Sequence, residues 1–116
     1  MFRDGAIRLR HMLDAAREAI VFTQNRTRAM LDSDRMLTLS LVKSIEIIGE
    51  AATRVSRECQ GRYPAIPWAS IIAMRNRLIH AYFDVDLDRV WDTIMTDLPP
   101  LITDLEKIVL SEDLDI

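Results

Sequence analysis

The stretch Met36–Ile48, MLTLSLVKSIEII, decides how this chain folds. Placed at helical steps of about 100°, its apolar side chains leave only a narrow polar strip. They are Met36, Leu37, Leu39, Leu41, Val42, Ile45, Ile47 and Ile48. A single bundle core needs a narrower apolar face than this. The surplus indicates a homodimer, in which a second copy of the chain covers it, and the alternative is a helix that is fully central within one chain.

The composition around this stretch is typical of a helical globular protein. Of the 116 residues, 49% are hydrophobic and 28% are charged, with only 3 glycines and 4 prolines. Good helix formers are plentiful and no segment alternates apolar and polar residues as a strand would, so we expect an all-α fold. A chain of this length suits one domain, and we expect residues 1–116 to form it.

Apolar spacing and capping residues divide the chain into four helices. We expect the first over residues 4–23 and the second from Ser33 or Asp34 to about Cys59. The third is expected to begin near Pro67–Trp68 and to end near Phe83, after a loop that contains Gly61, Pro64 and Pro67. The fourth begins after Asp84 or Asp86 and runs to about Leu110, with a kink or break at Pro99–Pro100. Such lengths predict an up-and-down bundle of four to five helices.

Charge and cysteine content narrow the functional classes. The net charge of −3 excludes a general electrostatic nucleic-acid binder, so any contact with phosphate must be local. Cys59 is the single cysteine and His11 and His80 are the only histidines, so we expect no internal disulfide, metal or other cofactor. The longest uncharged stretch, residues 63–74, is too short for a membrane span, and the N-terminus lacks a signal peptide's apolar run. We therefore expect a cytoplasmic protein.

The third predicted helix carries a cation on its apolar side. Arg75 lies near the centre of an arc formed by Trp68, Ile71, Ile72, Met74, Leu78, Ile79, Ala81 and Tyr82. A buried guanidinium is costly unless it is paired, and Glu46 and Glu50, four residues apart on the second helix, are the natural partners. Arg75 is then either a core ion pair or a functional cation.

Three more polar residues follow on the flank of the same helix. Asn76 and His80 are four residues apart, with Arg77 beside them. His80 lies about 140° round the helix from Arg75, so a regular helix does not direct the two side chains to one point. Either Arg75 curls round, or the site is completed across a dimer axis; alternatively, His80 is a satisfied polar residue at a helix end. His11 is expected at the surface or at the edge of the core.

Arg75, His80 and Tyr82 form the pattern R-x4-H-x-Y, and the segment that carries it resembles the HepT-like toxins of the HEPN superfamily. Three stretches are similar to HepT-like segments and occur in the same order. They are IEIIGEAATRVS (45–56), YPAIPWASIIAMRNRLIHAYF (63–83) and VDLDRVWDTIMTDLPPL (85–101). The resemblance therefore covers most of the chain.

This resemblance implies a homodimeric bundle in which the motifs of both chains face one cleft. It implies metal-independent RNA cleavage. From the residue types we predict that Arg75 and His80 are catalytic and that Asn76, Arg77, Glu46 and Glu50 support them. The resemblance also implies a partner, an MNT-type nucleotidyltransferase that serves as antitoxin and adenylylates Tyr82.

The residue types suit that chemistry. Cleaving RNA without a metal ion requires a base for the 2′-hydroxyl proton and an acid for the leaving oxygen, and histidine can serve as either near neutral pH. One chain supplies one His80, so two roles require two chains. Arg75 would hold the scissile phosphate. The competing hypothesis is a non-catalytic dimer that acts as an adaptor or nucleotide-binding partner of the nucleotidyltransferase.

Overall fold

The computed structural model describes residues 3–80 and 84–111, and within these ranges the chain forms helices and no strand. The helices are α1 (Arg3–Phe22), α2 (Arg35–Thr53), α3 (Arg57–Arg62), α4 (Trp68–His80), α5 (Leu87–Asp92) and α6 (Leu98–Ser111). A short 3₁₀ helix, Arg28–Asp32, precedes α2. The prediction of an all-α helical bundle is confirmed. None of the helices in the described part of the chain is long and apolar enough to cross a membrane.

Helix α2 occupies the middle of the bundle, where it packs against both α1 and α4. Its inner face carries Leu37, Leu41, Ile45 and Ile48, which are buried in the core. Its outer face retains Met36, Leu39 and Ile47, whose exposed fractions are 82%, 50% and 38%. The helix is therefore central in the bundle and still has apolar surface that the described residues do not cover.

The second predicted helix ends earlier than expected. The sequence indicated a helix as far as about Cys59, whereas α2 ends at Thr53 and α3 begins at Arg57. The reason is a new N-cap, because the Ser56 hydroxyl accepts a hydrogen bond from the Cys59 amide at 3.1 Å. Gly61, expected in a loop, lies inside α3. The chain therefore turns between two helices where one continuous helix was predicted.

Residues Leu87 to Ser111 form one continuous helical stretch. Of the two starts that the sequence left open, after Asp84 or after Asp86, the structure has the second: the Asp86 carboxylate accepts a hydrogen bond from the Arg89 amide at 3.1 Å. Residues 93–97 form a π-helical turn directly before Pro99 and Pro100. In a regular α-helix these prolines would face the carbonyls of residues 95 and 96, which belong to this turn. The predicted disruption therefore takes the form of a wider turn, and the helix does not break.

Helices α2 and α4 are in close contact where Gly49 meets Arg75. A Cβ atom built on Gly49 would lie 2.6 Å from Arg75 Cγ and closer still to Arg75 Cβ. Atoms so near the backbone cannot swing aside as the end of a flexible side chain can. The missing side chain at Gly49 therefore allows the Arg75 stem to lie directly on α2.

We predict that Gly49→Ala destabilises the protein. Alanine favours a helix interior by about 1 kcal/mol over glycine, but overpacking costs about 1–3 kcal/mol, and here the clash involves Cβ and Cγ of Arg75. Gly61→Ala is the matched control, because nothing lies within 4 Å of a Cβ at that position. Urea unfolding should show a lower midpoint for Gly49→Ala and an equal or higher one for Gly61→Ala. Equal midpoints in the two variants would contradict the packing argument.

Candidate functional site

Arg75 is held at the surface of the bundle by two neighbouring side chains. Its Nη2 donates to Glu50 Oε2 at 2.6 Å and its Nη1 donates to Asn76 Oδ1 at 3.0 Å. The Arg75 side chain is 27% exposed, so it is neither a fully buried ion pair nor a freely moving surface cation. Of the two carboxylates that the sequence offered as partners, Glu50 takes this role in the structure.

Glu50 is shared between two arginines. Its second oxygen, Oε1, accepts from Arg54 Nε at 3.0 Å. This hydrogen bond, and secondarily the charge of Arg75, lower the pKa of the Glu50 carboxyl against the opposing effect of desolvation. A lowered carboxyl pKa means that Glu50 is ionised at neutral pH. It therefore orients Arg75 as a carboxylate and is a poor proton donor.

The Arg75 Nε atom is the exception to this hydrogen bonding. It is buried and has no hydrogen-bond partner among the described residues. The Arg75 stem lies on the α2 backbone at Gly49, and the carbonyls of a helix interior already accept helical hydrogen bonds. Close packing of the two helices thus fixes the position of Arg75 and leaves its Nε–H without a hydrogen bond to any described residue.

An open groove of about 320 Å³ lies beside Arg75, and we call it the Arg75 groove. Its lining residues come from three helices: Arg8 and His11 from α1; Lys43, Glu46, Ile47, Glu50 and Ala51 from α2; Arg75 and Ile79 from α4. The α2 members recur at helical spacing, so they share one face of that helix. The volume is at the lower end of the range typical of small-ligand pockets. Arg75, Glu46 and Glu50, three of the predicted site residues, thus come together in one groove.

The remaining predicted residues do not line this groove. His80 is exposed at the C-terminal end of α4, and Arg77 is exposed on the same helix. Asn76 is exposed and contacts Arg75, rather than His80. Within one chain, therefore, the Arg75 groove contains the cation but not the imidazole of the motif, as the helical phase of His80 suggested. Tyr82 lies outside the described residues.

Sequence reasoning missed two features of this site. Gly49 is a lone glycine inside a helix of 19 residues, and an isolated helical glycine is itself a signal of close packing. His11 was placed at the surface or the edge of the core, and it is exposed, but it also lines the groove that holds Arg75. No local pattern could show this, because 64 positions separate the two residues along the chain.

The lone cysteine and the tryptophan of the motif helix belong to the core. Cys59 is 1% exposed and Trp68 is 8% exposed. The Trp68 indole donates to the carbonyls of Gln60 and Tyr63, which fixes α3 against the start of α4. Across residues 3–80 and 84–111, no group of three or more His, Cys, Asp or Glu side chains is arranged to hold a metal ion.

Comparisons with known proteins show which family the chain is similar to. The profile of the family described as "Ribonuclease HepT-like" matches residues 12–108. A protein of Methanocaldococcus jannaschii named a "Putative RNase" is 32% identical over 107 residues, which cover 92% of this chain and 88% of that protein. A "Probable ribonuclease HepT" of Thermococcus cleftensis is 34% identical over 100 residues, 83% of this chain and 91% of the relative.

A third relative, a "Putative RNase" of Caldanaerobacter subterraneus, is 38% identical over 79 residues, 68% of this chain and 70% of its own length. No solved structure matches the chain. The profile match spans most of the sequence, including α4 with Arg75 and His80. On these grounds the chain belongs to the HepT-like ribonuclease family.

Proposed function

We propose that this protein is a cytoplasmic ribonuclease toxin that cleaves RNA without a metal ion, in a cleft formed by two copies of the chain. The observation that carries this proposal is the placement of Arg75. Glu50 and Asn76 hold its guanidinium at the edge of an open groove, five residues before an exposed His80 on the same helix. Membership of the HepT-like ribonuclease family supports the same activity.

The proposed reaction divides between the two imidazoles of a dimer. One His80 accepts the proton of the 2′-hydroxyl as that oxygen attacks phosphorus, and the other donates a proton to the 5′-oxygen as its bond to phosphorus breaks. Arg75 binds the phosphate oxygens and stabilises the charge that develops on them. Glu50 keeps the guanidinium oriented, while exposed Arg77 adds positive charge on the same helix.

An apolar patch next to the Arg75 groove supports the dimer. The patch consists of Phe22, Leu39 and Ile47, which are 39%, 50% and 38% exposed and line one shallow depression. Lys43 and Ile47 border both this depression and the Arg75 groove. A second copy that covers the patch would therefore lie beside the groove, where a composite cleft requires it.

The proposed control of the toxin is adenylylation of Tyr82 by an MNT-type nucleotidyltransferase. Tyr82 follows His80 by two residues in the R-x4-H-x-Y motif. An AMP group on its hydroxyl adds a phosphate and a nucleoside next to the catalytic imidazole, so it blocks RNA by bulk and by charge repulsion.

We predict that the chain is a homodimer in solution and that Leu39→Glu dissociates it. A carboxylate within the apolar patch would have to lose its hydration in the dimer, which is costly even with Lys43 one helical turn away. Sedimentation at micromolar concentration should give twice the chain mass of 13.4 kDa for the parent and the chain mass for the variant. Leu110→Glu is the control, since Leu110 is 82% exposed on α6 and outside the patch. A parent protein that sediments only as a 13.4 kDa monomer would exclude the dimer.

His80→Ala should lower the rate of RNA cleavage by about 10²–10⁴-fold, because each removed acid or base group typically costs that much. Circular dichroism should show unchanged helix content, since the His80 side chain is exposed. Cleavage by the parent should persist in EDTA. Lys107→Ala, at an exposed position on α6, controls for the loss of a surface side chain. Full activity in folded His80→Ala protein would remove the catalytic assignment, and a folded parent dimer that cleaves no RNA would favour the adaptor.

Tyr82→Phe should keep RNA cleavage but resist neutralisation by the nucleotidyltransferase and ATP, because the acceptor hydroxyl is gone. Intact-mass measurement should show an AMP adduct on the parent and none on the variant. Tyr63→Phe is the matched control, since Tyr63 is the other of the two tyrosines. If Tyr82→Phe gains the same mass and is neutralised as readily as the parent, Tyr82 is not the modified residue.

A further inference from the structure

One side of the Arg75 groove is formed by residues that the R-x4-H-x-Y motif does not include. Arg8 and His11 are three residues apart on α1, so their side chains emerge on the same side of that helix. Lys43 approaches from α2. The family match begins at residue 12, so Arg8 and His11 also lie outside the segment that it covers. These three side chains form what we call the basic wall of the groove.

The two cations of the basic wall are not neutralised by ion pairs within the described structure. Arg8 and Lys43 form no ion pair with any described residue, whereas Arg75, in the same groove, is paired with Glu50. Arg8 is partly exposed and Lys43 is exposed, so both can meet a ligand from solution. Glu46 contributes a carboxylate to the groove and likewise has no ion pair among those residues. In a chain of net charge −3, unpaired cations gathered in one groove indicate an anionic ligand.

We propose that the basic wall of Arg8, His11 and Lys43 binds a backbone phosphate of RNA next to the phosphate held at Arg75. This inference rests on the proposed ribonuclease function and extends it from the scissile bond to the neighbouring nucleotide. Proteins that hold single-stranded nucleic acid track its backbone along a positively charged groove. Arg75 on α4 and the basic wall contact one strand at two points, and the two points together align it. Arg8 and Lys43 supply charge, and His11 supplies a hydrogen bond to a phosphate oxygen.

The assignment explains how an acidic chain can hold RNA. A single Arg75 that is already paired with Glu50 attracts phosphate weakly, because the carboxylate offsets its charge. Arg8 and Lys43, which are unpaired among the described residues, give the groove a local excess of positive charge although the net charge of the chain is −3. On this assignment Glu46 opposes binding, since its carboxylate faces the same groove and repels phosphate.

RNA binding can be measured without cleavage in protein that carries His80→Ala, because this substitution is expected to slow cleavage and leave the fold intact. The probe is a fluorescein-labelled single-stranded RNA oligonucleotide, and its anisotropy is measured across a series of salt concentrations. The double variant Arg8→Gln/Lys43→Gln should lower the magnitude of the slope of log affinity against log salt by about 0.7, the value for one phosphate contact on a single strand, and each single variant should remove part of that amount. At 0.1 M salt the full amount corresponds to about fivefold weaker binding. Glu46→Gln should have the opposite sign and tighten binding.

Matched controls lie elsewhere on the surface. Arg57→Gln on α3 and Lys107→Gln on α6 remove the same charges at exposed positions outside the groove, so their salt slopes should equal that of the parent. Salt slopes and affinities of Arg8→Gln and Lys43→Gln that match those of these controls would overturn the proposal. Circular dichroism on every variant verifies that the fold is retained.

Cleavage kinetics separate a binding role for His11 from a chemical one. His11→Asn in otherwise unmodified protein should raise KM and leave kcat unchanged, because the residue holds a flanking phosphate and not the reacting atoms. A fall in kcat with unchanged KM would overturn its place in the basic wall.

The experiments can contradict the proposed nuclease activity and the proposed phosphate site independently of each other. A parent that cleaves no RNA, while Arg8→Gln and Lys43→Gln still weaken binding, would remove the nuclease activity and keep the phosphate site. A parent that cleaves RNA, with groove variants indistinguishable from the controls, would keep the nuclease and remove the site.

Discussion

The close contact between Gly49 and Arg75 is the constraint on which the site depends. Because Gly49 has no side chain, the Arg75 stem lies directly on α2, and Glu50, one residue further along, binds the guanidinium at 2.6 Å. Spacing and orientation of the two helices thus determine where the cation points. An ion pair this exposed contributes little to stability, so its main effect is to orient Arg75. The arrangement has a free-energy cost, because the buried Nε atom of Arg75 has no hydrogen-bond partner among the described residues.

The position of α2 makes this contact possible. Its inner face packs against both α1 and α4, and residues of all three helices line the Arg75 groove. The outer face of α2 retains apolar side chains that no described part of the chain covers. One helix therefore connects the core, the Arg75 groove and the apolar patch. A shift of α2 would affect all three, because its residues alternate among them at helical spacing.

How much of the fold can be predicted depends on how local each signal is. The start of α4 near Trp68 was correct, and the cap at Asp86 is one of the two that the sequence offered, because caps and first-turn prolines act through neighbouring residues. The end of α2 was wrong by about six positions: the Ser56 hydroxyl begins a new helix, and burial of Val55 and Cys59 favours the turn before it. Apolar periodicity continues across such a turn, so periodicity alone does not reveal it. The two prolines were correctly expected to disturb their helix, but the apolar pattern did not predict that the disturbance would be a π-helical turn.

For this protein the sequence by itself determined the helical class, the surplus apolar face of α2, and a motif in which Arg75 needs an acidic partner. These properties follow from residue type and helical period, which are local. Only the tertiary structure decided that Glu50 and not Glu46 pairs with Arg75, that Gly49 sets the helix separation, and that Arg8 and His11 line the same groove. Each of these depends on the relative rotation and distance of two helices. That geometry results from packing the entire core, and no single segment of the chain contains it.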